Sequence, residues 1–237
     1  MAYTNSSLVS YTKLSPNHSG QRTHSIDRIT PHCVVGQCSA ETLGNIFLPT
    51  SKQASCNYGI GMDGRIGMYV EEKNRSWCSS SAANDQRAVT VECASDTTEP
   101  YALKDIVYQT LIKLCVDICK RNGKTKLLWL GDKTKTLNYN PKSDEIVLTV
   151  HRWFAAKSCP GNWMYARMGD LAEKVTAQLG GEVKPAQPTQ STAGTVKMGD
   201  LVAITGSTYY NGKAIPSWVR KLRWYVYEVS GDRAVIN

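Results

Sequence analysis

The stretch HRWFAAKSCPG, His151 to Gly161, concentrates residue types that do chemistry. It follows an apolar run, Ile146-Val147-Leu148-Thr149-Val150, with the composition of a buried strand. An imidazole, an ammonium group and a thiol then follow in order, and Pro160-Gly161 closes the turn. Neutral imidazole nitrogen and thiolate sulfur are the donors a tetrahedral zinc ion takes. A catalytic zinc site uses three protein ligands and keeps the fourth position open. His151 and Cys159, bridged by one turn, can converge on such an ion, and a third ligand must then come from a neighbouring strand. Of the four histidines, His18 and His24 lie in a polar, irregular N-terminal segment and read as solvent-exposed. His32, in Ile29-Thr30-Pro31-His32-Cys33, is the other histidine in a strand context. Spacing alone leaves a plainer reading open. In it His32 and His151 are hydrogen-bonded core residues, Cys159 is a buried thiol and Lys157 is a solvated loop lysine.

These residues need elements to carry them, and the chain supplies interleaved strands and helices. Residues 29–36 form a strand candidate whose internal proline suggests an edge or an irregular start. Residues 39–47 suit a short helix with Ser39 as N-cap and Glu41 in the first turn. Residues 56–60 and 66–70 flank Gly-Met-Asp-Gly and read as a hairpin. Ala88-Val89-Thr90-Val91-Glu92-Cys93 alternates as a half-buried strand does. Residues 102–120 carry Leu103, Ile106, Val107, Thr110, Leu111, Leu114, Cys115 and Ile118 at helical spacing, with Asn122-Gly123 as the stop. A strand over 146–153 and a helix over 163–179 complete an α/β domain with a mixed central sheet flanked by helices.

The composition changes once. EVKPAQPTQSTAGTV, residues 182–196, is rich in Pro, Thr, Gln and small residues and reads as an extended linker. The expected organisation is therefore a catalytic-size domain over 1–181, the linker, and a small module over 197–237. Short strands expected at 200–205, 224–230 and 233–236, with polar turns between them, suggest an all-β SH3-like module, though its length is short for that fold.

The chain has 237 residues, 41% of them hydrophobic, enough for a real core. No apolar run approaches the roughly 20 residues that span a bilayer, and the N-terminus lacks the basic start and apolar stretch of a secretory signal. A formal net charge of +8 favours anionic partners. The basic residues are scattered, which argues against a nucleic-acid face. Of eight cysteines in a chain of this size, with no export signal, most read as free thiols, and Cys115 and Cys119 read as core.

Four blocks in order, ITPHCVVGQ, CNYGIGMDGRIG, SSAANDQRAVTVEC and TVHRWFAAKSCPG, resemble the zinc-dependent N-acetylmuramoyl-L-alanine amidases of the type-2 amidase and peptidoglycan-recognition-protein superfamily, phage endolysin type. The resemblance spans roughly His24 to Leu179. It implies Zn2+ as the cofactor, held by His32, His151 and Cys159, with Tyr58 beside the metal water and Lys157 facing the reacting carbonyl. Some relatives carry histidine where this chain has Asn57, and relatives differ over residues 74–86. Substrate contacts are expected from Asn57, Asn84, Asp85 and Arg87. The bond cut would be the amide between N-acetylmuramic acid and L-alanine of the stem peptide.

In endolysins of this layout the C-terminal module binds the cell wall. The resemblance thus makes Tyr209, Tyr210, Trp218 and Trp224 candidates for stacking on sugars, with Arg220, Lys221 and Arg223 facing anionic wall polymer. The rival is that many of these rings form the module's own core. The expected partner is bacterial peptidoglycan, with no nucleic acid and no transmembrane segment. The expected location is the cytoplasm until lysis releases the protein to the wall. The main alternative is a non-catalytic peptidoglycan-binding protein of the same fold.

Overall fold

The computed structural model describes residues 3–180, 196, 200–209, 211–221, 223–230 and 233–236. Among these, the strands of the large domain are β1 (Val9–Thr12), β2 (His18–Gln21), β3 (Arg28–Cys33), β4 (Tyr58–Ile60), β5 (Ile66–Met68), β6 (Asn74–Ser76), β7 (Ala88–Cys93), β8 (Lys126–Leu128) and β9 (Glu145–Leu148). Its helices are α1 (Ala40–Phe47), α2 (Ala82–Asp85), α3 (Asp105–Arg121), α4 (Lys133–Asn138), α5 (Gly161–Ala166) and α6 (Met168–Gln178). Seven strands form one sheet in the order β1-β5-β4-β7-β3-β9-β8. The β4–β5 pair is antiparallel and every other pair in that sheet is parallel. The domain is thus mixed α/β, with a mostly parallel sheet between helices.

Both faces of the sheet are covered, and strand alternation decides which side chain meets which cover. Val89, Val91 and Cys93 of β7, Ile29 of β3 and Tyr58 and Ile60 of β4 share one core with α3 and α6. Leu111, Leu114, Cys115, Ile118 and Cys119 of α3 are fully buried there, as the helical spacing predicts. Ile106 departs from that expectation and is half exposed. On the opposite face α1 packs through Leu43 and Phe47 against Cys56 and Tyr69. Gly59 permits this approach, because a Cβ there would lie 2.7 Å from Tyr69 and 2.8 Å from Leu43. Ser39 caps α1 as expected, its side chain accepting from the Thr42 amide.

Other expectations need correction. His151 does not close a long strand: β9 stops at Leu148, and His151–Trp153 form a 3-10 turn. The helix expected over 163–179 is two helices meeting at Arg167. The N-terminal segment is not irregular. It contributes β1 to the main sheet, and β2 pairs with β6, so that half-buried His18 is a strand residue.

The linker expected over 182–196 lies outside the described residues, Val196 apart. Beyond it, β10 (Leu201–Ala203), β11 (Arg223–Ser230) and β12 (Arg233–Ile236) form an antiparallel sheet. A short helix, α7 (Ser217–Lys221), occupies the apolar segment that follows Ile215. The expected all-β tail therefore carries a helix. Ile215, Val219 and Val226 are buried in it. No helix among the described residues is long and apolar enough to cross a membrane.

Candidate metal centre

His32 lies near the end of β3, His151 begins the turn after β9, and Cys159 lies on the loop before α5. Strands β3 and β9 are adjacent and parallel, so their carboxyl ends open on the same edge, where ligands of parallel sheets collect. The ligand atoms of His32, His151 and Cys159 all lie within 4.8 Å of one another. The Cys159 sulfur is 3.3 Å from His32 Nδ1, and the two imidazole rings stand 5.1 Å apart between centroids. His32 is 1% exposed, and its Nε2 has no hydrogen-bond partner among the described residues.

The donor chemistry fits a zinc ion. Burial lowers His32 to about 3, so the ring is neutral and keeps a lone pair. Burial and the charge of Lys157 lower His151 in the same direction. The Cys159 thiol is raised, first by its hydrogen bond with Cys33 and then by burial. Two neutral imidazoles and a thiol make a two-nitrogen, one-sulfur set of the kind that leaves one position open.

A carboxylate not singled out in the sequence joins this group. Glu92 sits on β7 beside His32 in register. Its Oε1 is 3.9 Å from His32 Nδ1 and 3.9 Å from the Cys78 sulfur. Its Oε2 is buried without a hydrogen-bond partner among the described residues. Burial pushes the carboxyl up to about 7. His32 is neutral, so this contact is not an ion pair. The signal for Glu92 was present as the single charge in Ala88–Cys93. Alternation places such a residue on the second face of the strand, and only the cover on that face buries most of its side chain.

The turn Cys78-Ser79-Ser80 completes the surroundings. Ser80, in the left-handed region at φ 60°, brings its hydroxyl 2.9 Å from His151 Nε2. Asp85 holds this turn: its carboxylate accepts from the amides of Cys78 at 3.0 Å and Ser79 at 3.1 Å, and from the Ser79 hydroxyl at 2.6 Å. Asp85 itself is raised by burial.

The other expected site residues fall elsewhere. Lys157 is exposed on the loop between His151 and Cys159, close enough to act on His151. Tyr58 is not brought to the cluster. It points to the α3 face, opposite His32, where its hydroxyl donates to Glu72 at 2.7 Å and accepts from the Ser6 amide at 2.9 Å. Arg121 pairs with the same Glu72 at 2.6 Å.

Asn57, Asn84, Asp85 and Arg87 all bond within the domain. Asn57 Oδ1 accepts from Arg22 and from the Thr90 amide. Asn84 bonds Thr30, Thr149, Ser79 and Arg28. Arg87 pairs with Asp27 at 2.5 Å. In the tail, Tyr209 is exposed, while Trp224 is half-buried and donates to the Val219 carbonyl at 2.8 Å. Tyr210 and the Trp218 side chain lie outside the described residues.

The class defined in outline is a mixed α/β domain with a two-histidine, one-cysteine cluster, which could hold a metal ion, at the carboxyl edge of a mostly parallel sheet. A family model described as N-acetylmuramoyl-L-alanine amidase matches residues 19–162, and the chain belongs to that family. Solved structures give more distant likenesses. The structure of PlyL is 16% identical, with a TM-score of 0.46, covering 70% of this chain and 95% of that one. The N-acetylmuramoyl-L-alanine amidase LysC from Clostridium intestinale is 16% identical, with a TM-score of 0.46, covering 73% and 96%. A derivative of AmpD is 17% identical, with a TM-score of 0.42, covering 51% and 80%. No curated protein matches the chain by sequence.

Proposed function

We propose that the protein is a zinc-dependent N-acetylmuramoyl-L-alanine amidase of endolysin type, hydrolysing the amide between N-acetylmuramic acid and L-alanine of the stem peptide. The observation that carries this reading is the convergence of His32, His151 and Cys159 within 4.8 Å in a chain of this family. These three residues would hold the ion. When bound, Zn2+ polarises a carbonyl and brings the pKa of a bound water to about 7.

The chain's own residues supply the rest. Glu92 presents a buried oxygen with no partner among the described residues on the His32 side of the sheet, where a carboxylate can take the proton of the attacking water and return it to the leaving amine. Lys157 brings a positive charge to the exposed rim beside His151, suited to the oxygen that becomes anionic as the carbonyl is attacked. Ser80 orients the His151 ring through its hydroxyl, as partners of metal-binding histidines do. His32 needs no charged neighbour to stay in ligand form, since burial already disfavours the imidazolium. The Cys159 thiol, raised by its hydrogen bond with Cys33 and by burial, would give up its proton only on binding the ion. Tyr58 has no part in this scheme.

The tail is assigned to wall binding. Tyr209 offers an exposed ring for sugar stacking, and the chain's excess of basic residues suits anionic polymer. The organisation into a catalytic domain over 1–181, a linker over 182–196 and a wall-binding module over 197–237 of SH3-like type belongs to the same proposal.

Metal analysis of the purified protein, combined with mass spectrometry of digested peptidoglycan, tests the reading. One zinc per chain and release of stem peptides with free L-alanine amino termini are expected. Cleavage at any other bond, or full activity after exhaustive chelation, would overturn it.

A further inference from the structure

The cluster around His32 has a second half that the proposed hydrolysis uses only in part. The ligand atoms of His32, Cys78 and Glu92 also lie within 4.8 Å of one another. Imidazole, thiolate and carboxylate together are a donor set for zinc and its soft neighbours. A further observation points this set at a ligand: Glu92 Oε2 is buried with no hydrogen-bond partner among the described residues. The third member is held in place, because Asp85 fixes the Cys78 amide at 3.0 Å and the Cys78 sulfur reaches Glu92 Oε1 at 3.9 Å.

We infer that His32, Cys78 and Glu92 form a second seat for a divalent cation, alternative to the seat made by His32, His151 and Cys159. The inference rests on the metal-centre reading above. Both seats draw on His32, and a neutral imidazole has one lone pair to give. The nitrogen nearest both sets is Nδ1, 3.3 Å from the Cys159 sulfur and 3.9 Å from Glu92 Oε1. One ion is therefore held at a time. Entry into the second seat forms a metal–sulfur bond and releases the Cys78 thiol proton to solvent; no electron changes hands. An ion there takes Glu92 as a ligand and removes it from proton transfer, so the occupied second seat is a resting form of the enzyme. Each seat offers one thiolate, and the Glu92 carboxylate in place of the His151 imidazole makes the second the harder set.

The test loads the metal-stripped full-length chain with Co2+ and reads the near-ultraviolet thiolate-to-cobalt charge-transfer band. The wild-type chain and Cys78→Ser should each bind one ion and show the band. Cys159→Ser should keep a band, now from Cys78, and the double variant Cys78→Ser/Cys159→Ser should lose it entirely. His151→Ala opens a second route should Cys159→Ser fail to fold. In that background, Cys78→Ser should weaken cobalt binding, whereas it should not do so in the wild-type chain. Loss of the band in Cys159→Ser, or a His151→Ala site indifferent to Cys78, overturns the second seat while leaving the first intact. Failure of the wild-type chain to bind cobalt overturns both.

Discussion

Replacing Glu92 by glutamine separates what this residue costs the fold from what it does for the reaction. Its carboxyl is lifted by burial from 4.5 to about 7, with the side chain 15% exposed. A lift of that size disfavours the ionised form in the native state by on the order of 3 kcal/mol. Below about pH 4.5 both the native and the unfolded chain are protonated at this position, and the carboxyl costs nothing. As pH rises towards 7 the unfolded chain ionises first, and the native state loses stability relative to it. Above about 7 the penalty is complete.

An amide of the same shape does not ionise. The metal-free Glu92→Gln chain should match the wild type near pH 4 and exceed it at pH 8 by an amount on the order of 3 kcal/mol. For a domain of this size that is roughly 6–12 °C in melting temperature. Activity with metal restored should fall by about 10²–10⁴-fold, the usual worth of a positioned acid–base group. Chelated thermal melts across this pH range and turnover on purified peptidoglycan read the two effects separately. Equal melting curves at pH 8 would show that Glu92 is not a desolvated carboxylate, and unchanged turnover would remove it from the mechanism.

Tyr58→Phe leaves Glu72 paired with Arg121 but strips the Ser6 amide of its acceptor. It should cost about 1–3 kcal/mol in denaturant titrations with kcat unchanged; a collapse in kcat would return Tyr58 to the site. Lys157→Ala should retain zinc by metal analysis and lose turnover by roughly 10²-fold, whereas a wild-type rate would make the residue an ordinary surface lysine. Gly59→Ala should destabilise by about 1–3 kcal/mol, since the added methyl meets Tyr69 and Leu43 inside 3 Å. An unchanged melting temperature would mean that α1 is not seated as described.

Much of the architecture was legible because it is written in short-range periodicity. The alternation of Ala88–Cys93, the apolar stripe of α3, the Ser39 cap and the Gly-Met-Asp-Gly turn are local signals, and each element appears where they place it. The strands β1, β2, β6 and β8 were missed because they are three or four residues long and owe their form to pairing rather than to composition. Ile106 obeys the helical spacing yet is half exposed, because periodicity names a stripe and only the neighbouring elements decide how far cover extends along it.

Residue types and chain order by themselves determined the ligand candidates: two histidines in strand contexts and a cysteine after a lysine on one turn. Which of the remaining polar residues face them was a matter for the tertiary structure. Tyr58 and Glu92 lie on adjacent parallel strands, β4 and β7, and both look eligible in one dimension. The register pairs Tyr58 with Val91 and Gly59 with Glu92, so the side chains of Tyr58 and Glu92 leave opposite faces of the sheet. One is thereby spent on Glu72 beside α3, and the other is set within 3.9 Å of His32.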